Sequence, residues 1–308
     1  MTVSANIIIY WGISVIFADM EEGKKLIVEC GATKTTWCVA GPDGEERRIY
    51  TDGINLSTMG GETIDATISE AAGTLACKAD EVHFYAAGLI MGDGGKMPPS
   101  VKGVDDALRR LMGAENIEYA SDLTAAARAL FGHGSGIAVI LGTGSNSGFY
   151  DGKGIVRSVR SAGFILGDEG SGACLGKLFM ADFLKGLMPE EVSREFALSF
   201  SVDYSTVVAN VYHGSSPSGY LGSFAPWIME RYGKDGYVTR LVERNIKDFM
   251  ERVLLQYDID RYEVGVSGGY AAANRDVFER IGAGYGIRFS SFLDDPMDGL
   301  VEYHSGKK

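Results

Sequence analysis

Two glycine-rich stretches carry Ser, Thr and Lys residues in an arrangement that could bind phosphate. A glycine-rich turn between two strands lets a phosphate come close to the backbone, where consecutive N–H groups and side-chain hydroxyls donate hydrogen bonds to it. Turns of this composition also join ordinary hairpins, so either stretch alone is weak support for a phosphate site. The residues are Gly31, Ala32, Thr33, Lys34 and Thr35 in the first stretch, and Gly142, Thr143, Gly144 and Ser145 in the second.

Three carboxylates stand at points where they could act beside these stretches. Glu29 ends the apolar run KLIVEC just before the first stretch, and Asp168 lies in GDEGSG ahead of a helical pattern. Asp122 follows Ser121 where a strand pattern gives way to a helical one. Acids at helix starts also act as N-caps or interact favourably with the helix dipole, so the residues alone leave a structural role open.

The two stretches occupy equivalent places in two halves of the chain. Each half shows the pattern of three strands, a helix, a strand, a helix, a strand and a helix. This order predicts layered α/β domains, and its repetition predicts two such domains facing a cleft. The predicted strands are 25–30, 35–41, 46–51, 81–88 and 116–120, then 137–142, 146–152, 153–158, 262–267 and 287–292. The predicted helices are 61–77, 103–112 and 122–131, then 170–256, 270–282 and 296–305.

The composition limits the partners of the chain. The 308 residues carry a formal net charge of −12, so the basic surface of a nucleic-acid-binding domain is missing. The four cysteines, at 30, 38, 77 and 174, have neither zinc-site nor disulfide spacing, which fits a reducing, cytoplasmic location. The four histidines are scattered, and no pair has the spacing of metal ligands.

The N-terminal residues differ in character from the rest. The apolar run at 7–17 is shorter than the roughly 20 residues that a membrane helix needs. No Lys or Arg precedes it, as one would in a signal peptide. We therefore expect no membrane segment, and we interpret 1–19 as a non-core extension upstream of a natural start at Met20.

Several longer motifs, in a fixed order from about 24 to 305, resemble a known family. They are ECGATKT (29–35), TDGIN (51–55), FYAAG (84–88), SDLTAAARALFG (121–132), LGTGSNS (141–147), GFILGDEGSGACLG (163–176), GVSGGYAAA (265–273) and PMDGLVEYH (296–304). The chain resembles the BadF/BadG/BcrA/BcrD ATPase family, and is most similar to its N-acetylglucosamine kinase-like members, within the superfamily of sugar kinases, actin and heat-shock chaperones. The resemblance implies an α/β fold of two duplicated ribonuclease H-like domains with ATP in the cleft between them.

The resemblance also implies domain boundaries and a nucleotide site. The N-terminal domain would cover 20–120 together with a closing helix at 294–308, and the C-terminal domain would cover 121–293. Both glycine-rich stretches would bind the phosphates of ATP with Mg²⁺. The adenosine would lie against Gly268, Gly269 and Tyr270.

Catalytic and sugar-binding roles follow from the same resemblance. Asp122 would be the catalytic base, and it could also contact Mg²⁺. Glu29 would order a water molecule on Mg²⁺, at a position where the resembling kinases carry Asp. The sugar would contact Asn55, Gly88, Asp122, Asn146 and Asp168.

We therefore expect an ATP-dependent amino-sugar kinase that phosphorylates the 6-hydroxyl of N-acetylglucosamine and forms a homodimer, with no nucleic-acid or membrane partner. An ATPase activator of 2-hydroxyacyl-CoA dehydratases would need cysteines at a dimer interface to hold an iron–sulfur cluster. No cysteine follows the second stretch in a suitable loop. A sugar or nucleotide sensor on the same fold, without turnover, stays open.

Overall fold

The computed structural model describes residues 24–31, 34–56, 59–89 and 97–306. The extension expected at 1–19 and the turn residues Ala32 and Thr33 lie outside these ranges. The described chain consists of two five-stranded sheets with helices packed on them, so the predicted α/β class is confirmed.

Five strands form the first sheet. They are β1 (Lys25–Cys30), β2 (Lys34–Ala40), β3 (Glu46–Asp52), β4 (Glu81–Ala86) and β5 (Asn116–Ser121). Their order is β3-β2-β1-β4-β5, with β1 antiparallel to β2 and parallel to β4. Successive residues of a strand point to opposite faces. Leu26 and Val28 are therefore buried on one face of the sheet, and Ile27 is buried on the other.

The second sheet repeats this plan. Its strands are β6 (Gly136–Leu141), β7 (Ser145–Tyr150), β8 (Ile155–Val159), β9 (Val264–Ser267) and β10 (Phe289–Leu293). The order is β10-β9-β6-β7-β8, with β6 antiparallel to β7 and parallel to β9. Because β6 has the same neighbours in the same directions as β1, the repeat in the sequence pattern corresponds to a repeat of topology.

Thirteen α-helices are present in the described ranges. They are α1 (Gly61–Leu75), α2 (Pro99–Met112), α3 (Asp122–Phe131), α4 (Gly163–Leu166), α5 (Gly172–Leu184), α6 (Glu190–Phe200), α7 (Tyr204–Val208), α8 (Pro217–Gly222), α9 (Ala225–Met229), α10 (Gly236–Arg252), α11 (Gly269–Ala273), α12 (Arg275–Ala283) and α13 (Met297–His304). A π-helical turn (Ala209–His213) and a 3-10 turn (Leu254–Gln256) accompany them. Within these ranges no helix combines the length and the apolar character that crossing a membrane requires.

The long helical region predicted at 170–256 is in fact several helices. Asp203 and Asp235 each accept a backbone N–H bond at the start of a new helix, and prolines stand at the starts of three others. A capping side chain satisfies the free N–H groups of a helix start, and proline has no N–H to continue a preceding helix. The helix predicted at 270–282 is likewise divided at Asn274, whose backbone is not helical.

The last helix, α13, returns to the first sheet. Met297 and Leu300 are buried against Ile27 of β1 and against α3. Gly299 permits a close approach, because a Cβ there would lie 2.6 Å from the carbonyl oxygen of Ala129 in α3. α3 also packs on β6 of the second sheet. Because α3 contacts both sheets, the domain boundary expected between 120 and 121 stays a prediction.

Polar side chains connect the end of α13 to the first sheet. The Lys25 ammonium donates to the carbonyl oxygen of His304 at 2.9 Å and pairs with Glu81 at 3.3 Å. The Tyr85 hydroxyl lies 2.7 Å from Nε2 of His304 and accepts a hydrogen bond from Arg128 of α3 at 2.6 Å. These contacts join β1, β4, α3 and α13.

His83 and Glu118, on neighbouring strands, close these contacts into a ring. The Glu118 carboxylate binds Nδ1 of His83 at 2.8 Å and Arg128 at 2.7 Å, and Nε2 of His83 lies 3.1 Å from Glu81. The rings of His83 and His304 stack with centroids 3.5 Å apart, a contact that their sequence spacing did not predict.

Candidate ligand atoms of His83, Glu118 and His304 lie within 4.8 Å of one another. Stacked rings keep their lone pairs in separate planes, however, so the group is arranged to fasten α13 and not to chelate one ion.

Acid should weaken the contacts between α13 and the first sheet, because His304 would then become protonated. Burial, with the nearby His83 and Arg128, lowers the pKa of His304 from 6.5 to about 3. Between these values the unfolded chain binds more protons than the folded one, so the free energy of unfolding falls as the pH drops. We expect His304→Gln to lose less stability than the parent between about pH 6.5 and pH 5, measured by urea unfolding. The exposed His213 provides a control: His213→Gln should follow the parent, and equal slopes for all three proteins would contradict this role.

Candidate active site

The turn at 142–145 is held through its carbonyl groups at the start of α5. The carbonyl oxygens of Gly142 and Thr143 accept hydrogen bonds from the N–H groups of Gly172 and Ala173, both at 3.0 Å. In a planar trans peptide the C=O and the following N–H point in opposite directions. The N–H groups of Thr143 and Gly144 therefore point away from α5, as the donors of a phosphate-binding turn must.

Asp168 lies against the other end of this turn. Its carboxylate accepts a hydrogen bond from the Ser145 N–H at 3.3 Å, and a Cβ on Gly144 would lie only 3.2 Å from its Oδ2. The Asp168 side chain is 7% exposed, and its backbone has a φ of 58°, a strained conformation of the kind that collects at functional sites. Burial raises the pKa of this carboxyl group, although the Ser145 N–H acts in the opposite direction. The predicted sugar-binding carboxylate thus touches the predicted phosphate turn.

Asn245 of α10 supports the same loop and was missed in the sequence. Its side chain is fully buried, accepts the Gly170 N–H and donates to the Ser171 carbonyl oxygen, both at 3.1 Å. A buried amide needs such partners, and these lie about 75 positions away along the chain, so no local signal marks the residue. Glu169, in contrast, pairs with Arg252 at 3.0 Å, on the same helix as Asn245.

The turn after β9 lies beside the phosphate turn. Gly268 has a φ of 129°, and a Cβ there would be 2.6 Å from the Leu141 carbonyl oxygen, so only glycine fits. A Cβ on Gly269 would lie 2.8 Å from the Asp294 carboxylate. The Tyr270 side chain is partly buried and packs against the core of the second domain. The two glycines therefore let this turn pack closely against Leu141 and Asp294, while the Tyr270 side chain packs into the core.

The first glycine-rich turn is described only at its two ends. The Gly31 N–H donates to the Lys34 carbonyl oxygen at 2.9 Å, which brings the ends together. Ala32 and Thr33, both predicted to bind phosphate, lie outside the described residues. The Lys34 ammonium forms an ion pair with Asp295 at 2.9 Å.

The predicted sugar residues Asn55 and Gly88 come together at the end of β4. Asn55 forms a parallel bridge with Ala87, the neighbour of Gly88, and Gly88 has a φ of 72° that favours glycine. Thr35 connects this region to the first turn, because its hydroxyl oxygen accepts the Ile54 N–H at 3.1 Å. Thr35 is fully buried, so its side chain supports the Asn55 segment instead of facing a phosphate.

Asp122 opens α3 without capping it. The N-cap is Ser121, whose hydroxyl oxygen accepts the Thr124 N–H at 3.1 Å. The Asp122 carboxylate accepts a hydrogen bond from the next N–H, that of Leu123, at 2.8 Å. Burial raises the pKa of Asp122 despite this hydrogen bond. A partly buried carboxylate with a raised pKa is suited to accept a proton, and capping by Ser121 leaves Asp122 without a capping role.

Asn146 lies on the face of the second sheet that α3 covers. Residues two apart on a strand share a face, and a Cβ on Gly148 would lie 2.9 Å from the side chain of Leu123 in α3. Asn146 therefore shares the face of β7 that meets the start of α3, where Asp122 precedes Leu123. Its side-chain oxygen accepts the Ser147 N–H at 2.9 Å.

Glu29 stands among like charges. It is partly buried in β1, where its strand partner on β4 is Tyr85. Burial, together with the charges of Asp295 and Asp122, raises the pKa of Glu29 to about 8, while Lys34 acts in the opposite direction. A divalent cation would relieve this repulsion, and Mg²⁺ takes carboxylate oxygens while keeping most of its waters. The negative charge around Glu29 is therefore of the kind that a nearby cation would offset.

Comparison with known proteins gave matches among solved structures. A scan of protein-family models and a search of curated proteins found no match, so membership of the BadF/BadG/BcrA/BcrD family is not confirmed. A proposed N-acetylglucosamine kinase from Porphyromonas gingivalis is 34% identical, with a TM-score of 0.81 over 91% of this chain and 98% of that one. A proposed N-acetylglucosamine kinase from Chromobacterium violaceum is 21% identical, with a TM-score of 0.68 over 91% and 98%. A ROK family glucokinase from Streptomyces griseus, solved with glucose and AMPPNP, is 17% identical, with a TM-score of 0.53 over 91% and 98%.

The fold of the chain is that of the sugar kinases, which have a two-domain actin-like structure. The Chromobacterium and Streptomyces proteins show the fold alone. The Porphyromonas protein, at 34% identity over 91% of the chain, is similar enough to show kinship. The chain belongs to the same family as this Porphyromonas protein.

Neutralising Glu29 should stabilise the folded protein, and more so at high pH. Because its pKa is raised from 4.5 to about 8, the unfolded chain loses this proton first, and the free energy of unfolding falls as the pH rises between these values. We expect the melting temperature of Glu29→Gln to exceed that of the parent by a margin that grows from about pH 5 to pH 8, without Mg²⁺ or nucleotide. The exposed Glu62 is the control, since Glu62→Gln should show no such growth. A margin for Glu29→Gln that does not depend on pH would contradict the prediction.

Proposed function

We propose that the protein is an ATP-dependent amino-sugar kinase, with N-acetylglucosamine as the first candidate substrate and its 6-hydroxyl as the acceptor. The family supports phosphoryl transfer to a sugar, and the Porphyromonas relative, itself a proposed N-acetylglucosamine kinase, supports this substrate. One observation carries the proposal. Asp122 is a partly buried carboxylate with a raised pKa, at a strand-to-helix junction where another residue does the capping.

Asp122 is the proposed general base. It would accept the proton of the sugar hydroxyl while that oxygen bonds to the γ-phosphorus of ATP and the bond from this phosphorus to the bridging oxygen breaks, releasing ADP. Its raised pKa increases its affinity for the proton, and the Leu123 N–H holds the carboxylate in place at 2.8 Å. Mg²⁺ on the nucleotide would neutralise phosphate charge. Glu29 would orient a water molecule bound to that ion.

The remaining residues of the site would bind the two substrates. The N–H groups of Thr143 and Gly144 would donate to phosphate oxygens, and Gly268 and Gly269 would admit the adenosine. Use of ATP is supported by the glucokinase of the same fold that was solved with AMPPNP. Closure of the domains on the sugar would exclude water and so limit ATP hydrolysis. The proposed sugar contacts come from both domains: Asn55, Gly88, Asp122, Asn146 and Asp168.

Two other functions predict different results. The dehydratase-activator function needs accessible cysteines for an iron–sulfur cluster, whereas Cys30, Cys38 and Cys174 are buried. Iron in the purified protein would favour that function. A non-catalytic sensor would bind sugar or nucleotide without releasing ADP. The homodimer and the cytoplasmic location stay predictions.

Replacing Asp122 with Asn should abolish phosphorylation without abolishing binding. Asn has nearly the same shape, and its oxygen can still accept the Leu123 N–H, but it cannot act as the base. We expect kcat to fall by about 10²- to 10⁴-fold, measured by coupled ADP release, while the melting temperature and the Kd for MgADP stay close to those of the parent. Asp106→Asn, on the exposed side of α2, is the control and should keep full activity. Near-parental turnover of Asp122→Asn would rule out the assignment.

A panel of sugars separates a kinase from a sensor and ranks the substrates. ADP release would be measured with N-acetylglucosamine, N-acetylmuramic acid, glucosamine and glucose. Release that is greatest with N-acetylglucosamine supports the proposal. Binding of a sugar without ADP release from any member of the panel would favour the sensor.

Glu29→Ala should affect the Mg²⁺ dependence of turnover more than sugar binding. Loss of the carboxylate removes the group proposed to order water on the ion, whereas the sugar residues keep their positions. We expect the Mg²⁺ concentration at half-maximal rate to rise and kcat to fall, with little change in the Kd for sugar. Unchanged turnover across the Mg²⁺ titration would leave Glu29 without a role in the reaction.

A further inference from the structure

Asp295 lies where the chain passes from the second sheet to the first, between β10 and α13. Its Oδ1 accepts the Met297 N–H at 2.8 Å, which anchors the carboxylate at the start of α13. Its Oδ2 accepts hydrogen bonds from the Lys34 ammonium at 2.9 Å and from the Thr36 hydroxyl at 3.4 Å. One carboxylate thus joins the start of α13 to the part of β2 that follows the first glycine-rich turn.

The Lys34 side chain is engaged on the sheet. Besides the Asp295 contact, its ammonium lies 4.9 Å from the centroid of the Tyr50 ring. Lys34 and Thr36 share one face of β2, and Tyr50 is the partner of Thr36 on β3. The ammonium is therefore held between a carboxylate and an aromatic ring, in contrast to the phosphate-binding role that the sequence suggested for Lys34.

The connection that carries Asp295 also contacts the adenosine side of the candidate site. A Cβ on Gly269 would lie 2.8 Å from Oδ1 of Asp294, and the Gly268 N–H donates to the Leu293 carbonyl oxygen at 2.8 Å. Two successive aspartates therefore contact the two sides of the proposed nucleotide site. Asp295 contacts the first turn, and Asp294 contacts the turn after β9.

We propose that Asp295 is a positioning residue for the first glycine-rich turn and acts through Lys34. The inference rests on the proposed function and on the role expected from the sequence, in which this turn also binds the phosphates of ATP. The Lys34 carbonyl oxygen accepts the Gly31 N–H at 2.9 Å. Lys34 therefore joins the two described ends of the turn. The ion pair with Asp295 holds Lys34, and with it the described ends of the turn, near the start of α13.

The same pair could instead work in the opposite sense, with Lys34 as a phosphate ligand and Asp295 as its competitor. The two roles differ in the sign of one measurement. If Asp295 positions the turn, removing its charge weakens nucleotide binding because the turn loses its support. If Asp295 competes, removing its charge strengthens binding, because a negative charge beside the phosphates disappears.

Asp295→Asn separates the charge from the backbone anchor. The side-chain oxygen of Asn can still accept the Met297 N–H, while the uncharged amide no longer pairs with Lys34. We expect the Kd for MgADP, measured by isothermal titration calorimetry, to rise about twofold to fivefold, the size that a partly exposed ion pair supports. The KM for sugar and the melting temperature should stay close to those of the parent, which a general loss of structure would not allow.

Changes at Lys34 test whether the two residues act as a pair. Lys34→Met should raise the Kd for MgADP as much as Asp295→Asn does, and the double variant should show no further rise because both changes remove one contact. Lys34→Arg keeps a cation that can pair with Asp295, and it should bind MgADP nearly as well as the parent.

The matched control is Asp298, which lies in α13, three residues after Asp295, and pairs with Arg48 of β3. Asp298→Asn should leave the Kd for MgADP unchanged. Tighter or unchanged MgADP binding by Asp295→Asn, or additive effects in the double variant, would overturn the inference. A parent protein that fails to bind MgADP would instead overturn the proposed function, so the two failures are distinguishable.

Discussion

The candidate site depends on carboxylates that are held in partly buried positions beside few cations. Burial and the neighbouring acids raise the pKa of Glu29 to about 8, and burial also raises those of Asp122 and Asp168. Such groups oppose folding, since each favours the protonated form or the unfolded chain at neutral pH. Near these carboxylates α3 packs on both sheets, and α13 packs on α3 and the first sheet. A cation such as Mg²⁺ beside these carboxylates would offset part of their cost to folding.

The duplicated sheets support their two turns by different means. Backbone N–H groups of α5 donate to the carbonyl oxygens of Gly142 and Thr143, and Asp168 accepts the Ser145 N–H at the other end of the second turn. The described ends of the first turn are tied through side chains, Thr35 to the Asn55 segment and Lys34 to Asp295. Asp295 lies on the connection between the sheets. The described ends of the first turn are therefore tied to residues that lie far from them in the sequence.

Local sequence signals were sufficient for the α/β class and for the order of most strands, whereas the roles of the site residues came from the family resemblance and stay predictions. The alternation of strands and helices and the two glycine-rich turns depend on hydrophobic spacing and backbone freedom, which neighbouring residues determine. Asn55 and Gly88 were predicted separately. They lie close together because Asn55 forms a bridge with Ala87, the neighbour of Gly88, and both segments follow strands of the same sheet. The helical region at 170–256 was less well predicted. Its capping residues compete with a continuous apolar pattern, and the pattern alone does not show which of them ends a helix.

The sequence by itself determined the duplicated α/β plan, the two turns and the acids at strand ends, because each is encoded by residues close together in the chain. Tertiary structure alone decided which distant side chains meet these groups. Asn245 reached the GDEGSG loop, Asp295 engaged Lys34, and His304 stacked on His83. It also brought the Thr35 hydroxyl to the Ile54 N–H and the Lys34 ammonium to Asp295. Partners that lie 75 to 261 positions apart leave no local pattern, because only the packing of the two sheets with α10 and α13 brings them within hydrogen-bonding distance.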